Sequence, residues 1–201
     1  MKDIEHLVAD INHDETLRHE SQRLLQAAGQ TETAVHTLSV TGHAVTLARQ
    51  FGVDPRAAEM AALLHDVSKI WSPERHLEIA PALGIEVLVE ERQAPFLLHQ
   101  KVSAALARVV FGITEPSIIS AIGCHTTLKP NPSILDALVL VADKLSWDSS
   151  SAPFKEMMER ELEASIFGSA LVYLEYMYER RHHGPALHPW LASAYHELAG
   201  R

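Results

Sequence analysis

Cysteine is almost missing from this chain: Cys124 is the single one in 201 residues. No intrachain disulfide can form, no cysteine-based zinc knuckle can be built, and a reducing cytoplasm is the expected setting. Long apolar runs are missing as well. None approaches the roughly 20 residues that a bilayer requires. No basic segment followed by an apolar core opens the chain, so neither a membrane span nor a signal peptide is expected. Basic residues are in deficit, 17 Lys and Arg against 26 Asp and Glu, for a formal net charge of -9. With no basic stripe, long nucleic acid is not an expected partner, although a metal and a few local cations can still draw a polyphosphate to an acidic protein.

What is present is helical periodicity, over a chain that is 47% hydrophobic and so has ample material for one core. Ile4, Leu7, Val8 and Ile11 recur at helical spacing. Asp14 reads as the cap of a second helix through Leu17, Leu24 and Leu25 that ends near Gly29. Thr31 to Phe51 predicts a long amphipathic helix with Val35, Leu38, Val45 and Leu47 on its apolar side, closed by Gly52. Asp54-Pro55 is a start signal for the helix that carries Ala57 to Asp66. Ser72-Pro73-Glu74 starts another, broken at Gly84. Further helices are predicted from Phe96 to Phe111, from Pro116 toward His125, and from Ile134 to Leu145. Between the last two, Leu128-Lys129-Pro130-Asn131-Pro132 is a rigid loop. Ser149 to Pro153 is a linker, followed by a long helix to about Arg181, a turn at His182-His183-Gly184-Pro185 and a last helix from Pro189 to Leu198. The fold class expected is all-α.

His65-Asp66 closes the apolar run Ala61-Ala62-Leu63-Leu64. A carboxylate at the edge of a core is costly unless something compensates it, and a metal ion compensates the Asp while also accounting for the His. A partly exposed polar pair at a helix C-terminus is the simpler alternative for this dipeptide alone. The same puzzle recurs at Asp143, which follows Leu138-Val139-Leu140-Val141-Ala142. His36, His99 and His125 stand on core-facing turns or near helix ends. Nitrogen and carboxylate donors suit iron, manganese or zinc. Six such side chains exceed the needs of one four-coordinate ion. With Asp66 bridging, two ions roughly 3.5–4 Å apart become feasible, with a hydroxide held between them as nucleophile.

The order His36, His65-Asp66, Asp143 resembles that of the HD superfamily of metal-dependent phosphohydrolases. His65-Asp66-Val67-Ser68-Lys69, Leu98-His99 before Val102-Ser103-Ala104, Cys124-His125-Thr126-Thr127 and Ala142-Asp143 look like its YqeK-like branch. The resemblance covers roughly residues 30 to 145. It implies an HD-type helical bundle over residues 1–148, with 153–201 as a C-terminal helical extension packed on the same domain. It also implies a di-iron centre and symmetric hydrolysis of diadenosine tetraphosphate to two ADP. One ion would take His36, His65, Asp66 and Asp143, and the other His99, His125 and the shared Asp66. Lys69 would steady a phosphate oxygen, with Thr126, Thr127 and Lys129 as further phosphate contacts. Lys129 stands where the family usually carries Arg, keeping charge but losing the bidentate fork. Thr33 replaces a frequent Arg three residues before the first His. Lys144-Leu145-Ser146-Trp147-Asp148 replaces the Tyr-Ile-Glu-Pro common after the last Asp. The metal centre therefore carries over better than the nucleotide specificity. Hydrolysis of a nucleoside monophosphate or signalling nucleotide is the competing enzymatic reading, and a metal-dependent nucleotide sensor the non-enzymatic one.

Most of the 13 histidines are expected to be bystanders. His13-Asp14 lies among polar residues and Asp14 explains itself as a cap. His43, two turns after His36, reads as a core or supporting histidine. His6, His19, His76 and His196 read as solvated, and His182 and His183 as turn residues. Tyr173, Tyr176 and Met177 form a helical stripe expected to serve as core or partner surface rather than as a base-stacking box. A homodimer through the C-terminal helices is also an expectation.

Overall fold

The computed structural model describes residues 4–7, 16–148, 152–182 and 187–200. Among these residues there is helix and loop but no strand. Several helix starts follow caps or prolines. Thr16 accepts from the His19 N–H and opens α1 (Leu17–Ala27); His13 and Asp14 lie outside the described residues. Next come α2 (Thr31–Phe51) and α3 (Pro55–Leu64), the latter capped by Asp54 with Pro55 in its first turn. A 3-10 turn, Val67–Ile70, leads to α4 (Pro73–Ile79), capped by Ser72. Then follow α5 (Val89–Gln93), α6 (His99–Val109), α7 (Pro116–Cys124) and α8 (Ile134–Leu145). The chain closes with α9 (Lys155–Leu162), α10 (Ile166–Glu179) and α11 (Pro189–Ala199).

The core is built around α8, in which every residue from Leu135 to Leu145 is buried. A helix buried on all sides needs neighbours on all sides. Helices α2, α3 and α7 pack around it, and α10 covers it from the C-terminal part of the chain. Its N-terminus is fixed by a reciprocal cap, Ser133 Oγ accepting from the Asp136 N–H and Asp136 accepting from the Ser133 N–H.

Several expectations are corrected. The core face of α2 is not Val35 and Leu38, which are 65% and 38% exposed, but Ala34, Thr37, Val40, Thr41, Ala44, Leu47 and Ala48. Small residues there let α2 lie closely against α3, so size overrode hydrophobicity. His43 is exposed on the same helix. The predicted helix from Phe96 is a 3-10 turn, Pro95–Leu98, before α6 begins at His99. The long helix after the linker is two helices. Ser165 adopts an extended backbone (φ -156°, ψ 131°), and its hydroxyl accepts from the Gly168 N–H, which starts α10 afresh. Helix α5 was not foreseen, being only one and a half turns long. His76 is 1% exposed rather than solvated, and its Nε2 is hydrogen-bonded to the Ser68 carbonyl.

The last helix is latched by a buried ion network. His188, which caps α11, places Nε2 3.2 Å from Glu91 Oε1. Lys101 Nζ reaches the same oxygen at 2.7 Å and lies over the Trp190 ring. Burial pushes the Glu91 carboxyl up, but His188, Lys101 and the Leu88 N–H outweigh it and hold it below the usual carboxylate value. Two outcomes are expected. Leu140→Ala, at a fully buried position of α8, costs about 2–5 kcal/mol in urea unfolding with an unchanged m-value. The Glu91 carboxylate binds fewer protons folded than unfolded, so its contribution is full above its ordinary value of 4.5 and is lost as pH falls through the lower folded value. The stability gap between wild type and Glu91→Gln, followed by thermal melts from pH 7 downward, therefore narrows in acid.

Candidate metal centre

Four helix ends and one helix flank converge at a single place. His65 is the residue that ends α3, and Asp66 follows it in the turn. His99 is the first residue of α6, and His125 ends α7. Asp143 lies in the last turn of α8, and His36 in the second turn of α2. Helix ends suit this task because their backbone groups are free to orient side chains.

Those backbone groups set the imidazoles. Nδ1 of His65 is 2.7 Å from the Ala62 carbonyl, Nδ1 of His99 2.5 Å from that of Phe96, and Nδ1 of His125 2.8 Å from that of Ile122. A carbonyl can only accept, so each Nδ1 carries the hydrogen and each Nε2 faces inward; a neutral ring presents its lone pair there. The Nε2 atoms of His99 and His125 lie 2.9 Å apart. Two lone pairs at that distance repel each other unless a cation lies between or beside them.

Asp66 occupies the middle. Its Oδ2 is 3.3 Å from His65 Nε2, and its Oδ1 is 3.4 Å from His99 Nε2 and 3.6 Å from His125 Nε2. On the far side of His65, Asp143 Oδ1 is 2.9 Å from His36 Nε2 and 3.9 Å from His65 Nε2. His65 Nε2 and Asp66 Oδ1 are buried and have no hydrogen-bond partner. Among the described residues, two groupings have ligand atoms close enough to hold an ion: His36, His65 and Asp66, and Asp66, His99 and His125. Convergent donors of nitrogen and oxygen, two of them orphaned, fit a divalent transition metal, which displaces any proton from the nitrogen it binds.

The electrostatics agree. Burial opposes the Asp66 charge, but His65, His125 and Lys69 hold its carboxyl well below the usual range. Burial likewise opposes the Asp143 charge, and Lys144, His36 and His65 overcome it. Burial and the neighbouring His125 push the His99 imidazole down to about 3, and burial lowers His125, so both rings stay neutral. His65 is also buried, yet the two carboxylates raise it.

The remaining expected contacts divide. Lys69 Nζ sits 2.6 Å from Asp66 Oδ2 and lines a cavity of about 700 Å3 above the cluster. The Thr126 hydroxyl is 3.2 Å from His99 Nε2 and opens to the same cavity. The Thr127 hydroxyl is spent: it donates to the Leu128 carbonyl and accepts from Gln100. The cavity does not include Lys129, whose ammonium is 3.2 Å from Asp136, the residue that caps α8. The chain turns away there through Leu128 and Asn131, both at positive φ (55° and 51°).

Several residues around the cavity escaped the sequence reading. Gln100 is buried, and its Oε1 accepts from the N–H groups of Thr126 and Thr127, fixing that loop. Lys144 is buried, sits 2.6 Å from Asp143 Oδ2, and lies over the rings of Trp147 and Tyr173. Burial opposes its charge, but Asp143 raises its pKa. The helical stripe Tyr173, Tyr176 and Met177, expected as core or partner surface, lines the cavity, and Arg180 extends it by one turn. Their spacing of three, four and seven residues was the available signal. His76 and His188 line it too.

Comparison with known proteins is consistent with this geometry. The HD domain family matches residues 33–148. A Lactococcus lactis subsp. cremoris protein, described as an uncharacterized protein in the pepC 5' region, is 42% identical over 142 residues, 70% of this chain and 72% of its own length. The symmetrical bis(5'-nucleosyl)-tetraphosphatase of Bacillus subtilis (strain 168) is 30% identical over 133 residues, 66% of this chain and 68% of that protein. A crystal structure from Clostridium acetobutylicum, described as a predicted HD superfamily hydrolase involved in NAD metabolism, aligns with a TM-score of 0.83 at 25% identity, covering 91% of this chain and 97% of that one. Among the described residues no helix is long and apolar enough to cross a membrane. With the family match spanning most of the helical core and the clustered His and Asp side chains inside it, this chain belongs to the HD-domain family of metal-dependent phosphohydrolases.

Proposed function

We propose that this protein hydrolyses a dinucleoside polyphosphate symmetrically, diadenosine tetraphosphate and water giving two ADP, at a two-metal centre bridged by Asp66. The observation that carries the reading is the division of labour on that carboxylate: one oxygen faces His65, the other faces His99 and His125. His36, His65, Asp66 and Asp143 would hold one ion, and His99, His125 and Asp66 the second. Nitrogen and oxygen donors without sulfur suit iron, with manganese as an alternative. When bound, such ions supply Lewis acidity toward phosphoryl oxygens and toward the attacking water.

The protein's own part is positioning and charge. Lys69 stands beside Asp66 with its side chain 42% exposed, so its ammonium can hold a phosphate oxygen without leaving the cluster. The Thr126 hydroxyl, at the edge of His99, offers a donor to a neighbouring phosphate oxygen. Lys144 keeps Asp143 ionised and turned toward His36. The leaving nucleoside diphosphate is an anion at neutral pH, so no general acid is required. The cavity is large enough for a nucleotide. Similarity to tetraphosphatases named as symmetrical supports the choice of substrate.

Two expected outcomes follow. Metal-loaded protein incubated with diadenosine tetraphosphate yields ADP as the sole nucleotide product by anion-exchange chromatography. Formation of ATP and AMP, or turnover of a nucleoside monophosphate or signalling nucleotide alone, would reassign the substrate. Nucleotide binding without any product would favour a sensor. Elemental analysis of purified His65→Ala and Asp66→Ala is expected to find most of the metal gone from each. His99→Ala should lose about half, and Lys69→Ala should keep its full metal content while kcat/KM falls about 10- to 100-fold.

A further inference from the structure

The cations that line the cavity differ in how far they are already committed. Lys69 and Lys144 each sit against a carboxylate of the cluster. Arg180 and Arg181 also line the cavity, just past the end of α10, and among the described residues neither has an ion-pair partner. Arg180 lies over the Tyr176 ring, 3.7 Å from its centre, with one N–H 3.5 Å from the Tyr176 carbonyl. Arg181 lies over the Tyr178 ring at 4.3 Å and donates to the Tyr178 carbonyl at 2.9 Å. A guanidinium has five N–H donors, so most of each fork is unspent. The aromatic faces restrict both side chains in advance, which lowers the entropic cost of engaging a ligand. Favouring the negative helix C-terminus accounts for a cation here, but not for two facing the same cavity in a chain of net charge -9. Lys129, expected to hold phosphate, is tied to Asp136 instead. The cavity thus has two adjacent, pre-oriented cations at its rim and, among the described residues, no carboxylate paired with either.

We propose that Arg180 and Arg181 form an anion subsite for the phosphates of the bound nucleotide, so that the C-terminal helices complete the substrate site. This rests on the nucleotide reading above. It also explains why residues outside the matched HD segment approach the cluster at all.

The test is calorimetric titration of the metal-loaded full chain with ADP and with inorganic tripolyphosphate, which shares the charge but has no nucleoside. The Arg180→Gln/Arg181→Gln double variant is expected to bind both about tenfold more weakly and with a shallower salt dependence, while its melting temperature stays that of the wild type. Arg180→Lys/Arg181→Lys recovers part of the loss, and Lys129→Gln binds like the wild type. Affinities within twofold of wild type in the double Gln variant would overturn the proposal. So would a loss seen in Lys129→Gln instead, or no tripolyphosphate binding by the wild type. Arginine-dependent anion binding without cleavage of diadenosine tetraphosphate would leave the subsite standing and remove the substrate reading. Cleavage with an unaltered KM in the double Gln variant would do the reverse.

Discussion

A carboxylate buried at the end of an apolar helix is the constraint around which this molecule is arranged. Asp66 is 1% exposed and follows the fully buried end of α3. Left alone, such a charge would be neutralised by protonation or would destabilise the fold. Here it is surrounded by His65, His99, His125 and Lys69, each within 3.6 Å of one of its oxygens. The compensation is incomplete, since one carboxylate oxygen and one imidazole nitrogen remain without a hydrogen bond. Unspent, inward-facing donors of this kind are what a metal site requires.

The helical bundle serves that arrangement by ending its helices in the right places. Helices α3 and α7 each stop one residue short of a histidine, α6 starts at one, and α8 delivers Asp143 from its last turn. Carbonyls three residues back then hold Nδ1 of each of those three rings, so that every Nε2 faces inward. Around this framework lie supports that touch no ligand atom. Ser68 donates to the His99 carbonyl and bonds Ser103, which ties the turn after Asp66 to α6. Gln100 secures the Thr126-Thr127 loop beside His125. The tightness of these contacts is what lets separate helices hold one shared carboxylate.

Much of this was legible in the sequence, for identifiable reasons. Caps and prolines marked α3, α4 and α7, because such residues act locally and their effect does not depend on the rest of the fold. A charged residue following an apolar run marked Asp66 and Asp143 by the same logic of an unexplained burial. The apolar side of α2 was misread, since the packing partner selects small residues and leaves Val35 at the surface. The break between α9 and α10 depends on one serine turning its backbone, a choice that periodicity does not encode. Lys129 was misplaced because its partner, Asp136, is set by the cap geometry of α8. The spacing of Tyr173, Tyr176, Met177 and Arg180 marks one helix face, but not that this face borders the cavity. That placement arises from α10 packing across α8, a contact between elements distant in sequence.

Asp66 lying between two cations is the central claim, and anomalous X-ray diffraction from metal-loaded crystals, collected at the absorption edge of the metal, tests it most directly. Two peaks are predicted, one among His36, His65, Asp66 and Asp143 and the other among Asp66, His99 and His125. A single peak contacting only one oxygen of Asp66, or peaks away from these side chains, would contradict it.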